Sequence, residues 1–104
     1  MTASEVKEIL VAVDPHIERY ESSRKGKNAY TVWYELGFTD HFSDGENEEI
    51  LRFQIDRFTK NENDPIAAAI LTALNGRDDI AYHYEVDYEP DTGYIHHIFD
   101  CEGC

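Results

Sequence analysis

The first apolar pattern in the chain has the period of a helix. Apolar residues recur three and four positions apart, on one stripe of an α-helix. They are Val6, Ile9, Leu10 and Val13. Thr2, with Glu5 three residues later, resembles a capping box at the start of this helix. Proline disfavours helical backbone at the preceding residue, so Asp14-Pro15 ends it. Residues 15–20 are predicted to form a short second helical turn.

Three later segments show the two-residue alternation that is typical of β-strands. They cover residues 29–38, 50–58 and 80–88. Residues 94–100 are predicted to return as a fourth strand after a turn. The acidic stretch 39–49 between the first two is predicted to be a long loop.

The first strand has one continuous apolar face. Its members are Tyr30, Val32, Tyr34, Leu36 and Phe38. Trp33 and Glu35 fall on the opposite face, which we expect to be exposed to solvent. On the second strand Leu51, Phe53 and Ile55 are predicted to face inward. Proline and glycine in residues 89–93 favour a tight turn between the last two strands.

A second helix is predicted between Asp64 and Gly76. Asp64 suits the N-cap, Pro65 suits the first helical position, and Asn75-Gly76 suits the end. The apolar face consists of Ile66, Ile70, Leu71 and Leu74, and alanines occupy much of the remainder.

The element order is therefore α-β-β-α-β-β, typical of an α+β fold. Adjacent strands favour antiparallel hairpins that form a sheet with the helices on one face. The other sheet face is then free to bind a partner. The 104 residues are expected to form a single domain, residues 1–104.

Charge narrows the choice of partner. The chain has 22 acidic and 9 basic residues, a formal net charge of −13. Such a chain is repelled by nucleic acid and by anionic membranes, and it is attracted to basic surfaces. The acids concentrate in residues 30–50 and 76–104. A general role of the charge in solubility is the alternative interpretation.

The chain shows no sign of membrane insertion or export. Charged residues interrupt the N-terminal apolar run, unlike in a signal peptide. No apolar stretch approaches the ~20 residues of a membrane span. We therefore expect a cytoplasmic location.

Carboxylates interleaved with aromatic residues form the candidate binding surface. Aromatic side chains supply contact area, and carboxylates complement a basic partner. The predicted partner-binding residues are Trp33, Glu35, Asp40, Asp44, Glu46, Glu85, Asp87, Glu89 and Asp91. On the third strand Tyr82, Tyr84 and Val86 are interpreted as core residues.

The spacing of potential metal ligands resembles two known kinds of metal site. His96, Cys101 and Cys104 offer a zinc-like Cys-x-x-Cys cluster, although they also fit an ordinary strand with a free terminal cysteine. The stretch 40–46 resembles a calcium loop, but its register fails at Phe42. The preferred interpretation has no metal and no cofactor.

No catalytic signature is present. The chain lacks a nucleophile elbow, a phosphate-binding glycine loop and an H-E-x-x-H motif. The sequence therefore predicts a protein that is not an enzyme.

In overall type the chain resembles the small acidic immunity proteins of bacterial contact-dependent growth inhibition and related polymorphic toxin systems. The shared features are an acidic, cysteine-poor α+β domain without catalytic motifs. The resemblance implies a cognate toxin, commonly a basic nuclease, and it assigns no role to any residue. The alternatives are a DNA-mimic inhibitor of a DNA-binding enzyme and a zinc-binding module.

Overall fold

The computed structural model describes residues 1–23, 29–43 and 46–104, with side chains for 1–23, 29–38 and 50–104. In these residues it shows an α+β fold. The elements are α1 (Ala3–Val13), β1 (Glu18–Arg19), β2 (Tyr30–Ser43), β3 (Glu46–Thr59), α2 (Pro65–Asn75), β4 (Ile80–Glu89) and β5 (Tyr94–Gly103).

The strands form one mixed sheet in the order β1-β2-β3-β5-β4. The two predicted hairpins, β2–β3 and β4–β5, are both antiparallel, and β3 and β5 join them in a further antiparallel pair. β1 pairs with β2 in parallel, which the sequence did not predict.

The helical turn predicted for residues 15–20 is wrong. The Asp14 carboxylate accepts a hydrogen bond from the backbone N–H of His16, and the Asp14 carbonyl accepts one from Ile17. This turn redirects the chain, so Glu18 and Arg19 run extended beside β2.

The long loop predicted for residues 39–49 is also wrong. The backbone of β2 continues to Ser43 and that of β3 starts at Glu46, and the two pair without a further shift from Gly37 to Ser43. Ladder hydrogen bonds extended from the apolar part of the hairpin outweigh the weak strand propensity of the acidic residues. A register shift lies between Glu35 and Gly37. Gly37 has a φ of 123°, a backbone conformation that favours glycine at this position.

Both helices begin as their sequences predict. The Thr2 side chain accepts a hydrogen bond from the Glu5 N–H at the start of α1. Asp64 caps α2 by accepting from the Ala67 N–H, and Pro65 occupies the first turn. Local chemistry is sufficient at these helix ends, because each cap needs only its own neighbours.

The main core lies between the two helices and one face of the sheet. Its buried members are Val6, Leu10, Trp33, Leu51, Phe53, Ile55, Ile70, Leu74, Ile80, Phe99 and Cys101. Tyr82 and Tyr84 pack against it, which confirms their interpretation as core residues. The same interpretation of Val86 is wrong, because its side chain lies outside this core and is 53% exposed. The inward face predicted for β3 is also confirmed.

The predicted exposure of Trp33 is wrong, because its side chain is only 2% exposed. β2 is apolar on both sides, and the helices cover the side that carries Trp33. Tyr30 and Val32, from the predicted inward stripe, instead form a small separate cluster with Tyr94 and Phe58 on the opposite face. Among the described residues, neither helix has the length and apolar character needed to span a membrane.

Candidate binding surface

The face of the sheet opposite the helices carries most of the described acidic side chains of β3, β5 and β4. Alternate residues of each strand point to this side, and the pairing registers align them in rows. We call the following set the acidic face: Arg52, Gln54, Asp56, His83, Glu85, Asp87, Glu89, His96, Ile98, Asp100 and Glu102. It contains six carboxylates and one arginine.

β4 contributes the most regular part of the acidic face. Glu85, Asp87 and Glu89 occupy successive positions on this side of the strand. Strand geometry spaces such residues by about 7 Å. Glu85 and Asp87 are exposed, and Glu89 is partly buried. Asp91 follows in the exposed turn after the strand. The structure therefore brings together the C-terminal group of predicted binding residues.

His96 organises the centre of the face. Its Nε2 lies 2.9 Å from Asp56 Oδ1, and its Nδ1 lies 4.0 Å from Glu89 Oε2. Its ring stacks on Phe58 with a centroid separation of 4.1 Å. Gln54 also donates a hydrogen bond to Asp56. Asp56 is buried within this network, so the other carboxylates provide the accessible charge.

Two tyrosines beside the face remain neutral hydrogen-bonding groups at ordinary pH. Burial raises the pKa of Tyr34, and the negative charge of Asp56 and a hydrogen bond to it raise that pKa further. The pKa of Tyr30 is also raised, first by burial and then by the nearby Tyr94 and acidic groups. Both phenols therefore stay protonated and add no negative charge to the face.

A shallow depression of about 260 Å³ lies at the end of the acidic face near the start of β4. Its lining includes the half-exposed Leu36 together with Arg52, His83, Asp100 and Glu102. The Nε atom of Arg52 lies 4.0 Å from Oε1 of Glu102. The depression therefore combines an apolar contact with carboxylates, a chemistry that suits the stem and charge of a lysine or arginine.

The N-terminal group of predicted binding residues does not join this surface. Trp33 is in the core, and Glu35 lies on its side of the sheet, in an ion pair with Arg19. Asp44 is outside the described residues, and so are the side chains of Asp40 and Glu46, whose backbones belong to β2 and β3.

Sequence reasoning missed three carboxylates of the surface. Asp56, Asp100 and Glu102 join it through the register of β3 and β5. A signal was available for two of them, because the alternation of β5 continues to Gly103 and places both on the same side as His96. The pairing of β3 with β5 is long-range, so it has no local signal.

The proposed zinc cluster does not assemble. His96 and Cys101 lie on opposite faces of β5, because side chains alternate along a strand and the two positions differ by an odd number. Cys101 is buried on the helix side, where burial and then Asp100 raise the pKa of its thiol to about 12. The described residues contain no grouping of His, Cys, Asp and Glu suited to a metal ion.

A buried ionic network on the helix side has a structural role. Arg57 donates two hydrogen bonds to the Asp64 carboxylate, at 2.9 and 3.1 Å, and one to Thr31. Asp14 lies 3.8 Å from the same guanidinium. Burial opposes ionisation of Asp64, but the hydrogen bonds from Arg57 and from the Ala67 N–H outweigh it and lower its pKa. The network therefore fixes the start of α2 to β3.

Neither a protein-family model nor a curated protein matches this sequence.

Proposed function

We propose that this protein binds and blocks a basic protein through the acidic face. One observation carries the proposal: among the described side chains of three adjacent strands, six carboxylates and one arginine lie on the same side of the sheet. The net charge of −13 favours encounter with a positively charged partner, and this attraction weakens as salt is added.

A rigid sheet is a suitable support for such a surface. The backbones of β3, β5 and β4 are paired along their shared lengths, so the carboxylates keep their spacing when a partner binds. Little ordering entropy is then lost on association, which favours tight binding.

A nuclease toxin is the partner class that best fits this chemistry. The substrate groove of a nuclease is positively charged because it binds phosphates, and carboxylates on a rigid surface occupy such a groove by charge complementarity. The resemblance to acidic immunity proteins supports the same choice. In this proposal the protein itself carries out no catalytic step.

The test uses the polypeptide encoded immediately upstream of this chain. Its C-terminal domain is expressed with and without the protein, and nucleic acid cleavage and bacterial growth are measured. We expect stoichiometric inhibition of cleavage and restored growth. A neighbouring domain that is neither toxic nor bound by this protein would contradict the proposal.

The shape of the molecule supports keeping the DNA-mimic inhibitor as a second candidate. Its dimensions are 49 × 24 × 22 Å, and an elongated acidic body is what that function requires. Competition with a DNA duplex for a DNA-binding enzyme that lacks nuclease activity would favour this candidate.

A further inference from the structure

We propose that the outer edge of β4 accepts an extended segment of the basic partner as an additional antiparallel or parallel strand. This inference rests on the proposed function and specifies how the partner is held. It concerns the edge of the sheet, whereas the proposed function concerns the charged face.

β4 is the last strand of the sheet and pairs only with β5. The Cys104 N–H donates to the Asp79 carbonyl in the same register as the β4–β5 ladder. Residues 79 and 104 are therefore a hydrogen-bonded pair, and such pairs alternate along an antiparallel ladder. The N–H and C=O groups of Tyr84, Val86 and Tyr88 consequently point away from β5.

Within the described part of the chain, no backbone group forms a hydrogen bond with the outward-pointing N–H and C=O groups of β4. The strand is also regular, because every residue from Ile80 to Glu89 has a partner in β5 without a register shift. It contains no proline, glycine or lysine, residues that commonly prevent strand addition. The edge therefore has the geometry needed to bind another strand.

Exposed apolar side chains flank this edge on the helix side. Val86 is 53% and Tyr88 61% exposed. Val86 lies in the same row as His97 and Arg57, and Arg57 binds the N-cap of α2. The N-terminus of α2 therefore lies level with Val86. Val86 is next to this helix end and Tyr88 lies past it, so α2 does not cover either side chain. An added strand would cover both side chains.

The charges on the other side of β4 identify the occupant. An added strand would place alternate side chains beside Glu85, Asp87 and Glu89, where lysine or arginine is favoured, and the intervening ones beside Val86 and Tyr88, where apolar residues are favoured. A second copy of β4 is disfavoured, because like charges would lie opposite each other. The occupant is therefore a basic, alternating segment of a different protein.

The test uses a short synthetic peptide with lysine and valine at alternate positions. Two control peptides carry backbone N-methyl groups, one on the valines and the other on the lysines. Both keep the charge, but each removes the N–H groups along a different edge of the peptide. Binding to the full chain is measured by titration, and protection of the Tyr84, Val86 and Tyr88 amides is measured by hydrogen exchange.

We expect the unmodified peptide to bind and to slow exchange of these three amides. One methylated peptide is expected to bind at least tenfold more weakly, on the order of the loss of two or three backbone hydrogen bonds. Loss with methylated valines indicates an antiparallel strand, and loss with methylated lysines indicates a parallel one. A Val86→Pro variant is expected to weaken binding similarly, whereas Val86→Thr is expected to retain it.

Equal binding of all three peptides, or unchanged amide exchange, would overturn strand addition and leave charge-based binding intact. Failure of every peptide to bind would also overturn the inference. The proposed function is judged separately, by inhibition of the neighbouring toxin domain, so the two can fail independently.

Discussion

The two faces of the sheet use alternate residues of the same strands for different purposes. On β3, Leu51, Phe53 and Ile55 point toward the helices and are almost completely buried. Between them, Arg52 and Gln54 point to the acidic face and remain partly exposed. The buried apolar residues of the helix side have their partners within the chain, whereas the acidic face leaves most of its carboxylates in contact with solvent.

The difference separates residues that specify the fold from those available to specify a partner. On the helix side, the buried Arg57 and Asp64 are also paired within the chain. On the acidic face Asp56 is enclosed, whereas Glu85 and Asp87 are exposed. Substitutions among the buried residues of the helix side should therefore change stability, and those of exposed residues on the acidic face should change binding.

The largest expected loss of stability comes from Trp33 of β2, in comparison with its neighbour Tyr34 on the opposite face. Replacing the buried Trp33 by alanine should lower the free energy of unfolding by about 4 kcal/mol, because it removes a large core side chain and leaves a cavity. Tyr34→Ala, on the opposite face, should cost about 1 kcal/mol. Urea denaturation measures both. Equal losses would remove the proposed difference between the faces.

A slightly smaller loss of stability is expected from Arg57 of β3, in comparison with Arg52 on the same strand. Arg57→Met should cost about 3 kcal/mol, because it leaves buried carboxylates without their cationic partner. Arg52 has a half-exposed side chain in a weak ion pair, so Arg52→Met should change stability by less than about 0.5 kcal/mol. If chemical denaturation shows that Arg57→Met is harmless, the buried network does not anchor α2.

The buried His97, on the helix side, should make the stability of the fold depend on pH. Burial lowers the pKa of His97 below its ordinary value, so the unfolded chain takes up this proton more readily than the folded one. The contribution to stability is therefore lost as pH falls from above 6.5 toward the lower folded-state pKa. We expect the urea midpoint to decrease between about pH 7.5 and about pH 5.5.

Replacing this histidine, as His97→Gln, should reduce the dependence of the urea midpoint on pH, because it removes the group whose pKa is lowered in the folded chain. A dependence that is the same in this variant and in the parent would show that His97 does not contribute it.

The smallest expected effect concerns the two thiols and leaves stability unchanged. Cys101 is buried with a raised pKa, and Cys104 is exposed. A thiol reagent at about pH 8 should therefore modify one cysteine in the folded chain and two after denaturation. Cys104→Ser should remove the reaction of the folded chain. Rapid labelling of Cys101 in that variant would mean that the helix side is more open than described.

The parts of the fold that the sequence predicted are those with local causes. Asp64 and Pro65 define the start of α2 through their own chemistry, and the alternation of residues 80–88 defines β4. The orientation of β2 was not predictable locally, because Trp33 on one side and Tyr30 with Val32 on the other are all apolar. Only the packing of the distant helices decides which side is the core.

The candidate surface was predictable to a similar extent. Glu85, Asp87 and Glu89 were found because they alternate along one strand. Asp56 was not found, because it reaches the same face through the long-range pairing of β3 with β5. The alternation of aromatic and acidic residues also suggested Trp33 and Glu35 as binding residues, but the fold places both on the helix side of the sheet.

The most direct test of the central claim is the affinity of two charge-reversal variants for the C-terminal domain encoded upstream. Asp87→Lys with Glu89→Lys alters the acidic face, and Glu8→Lys with Glu62→Lys makes the same change in net charge at exposed sites elsewhere. We expect the first pair to weaken binding by roughly a hundredfold and the second by less than about threefold. Equal losses in the two variants would contradict the claim that the acidic face is the binding surface.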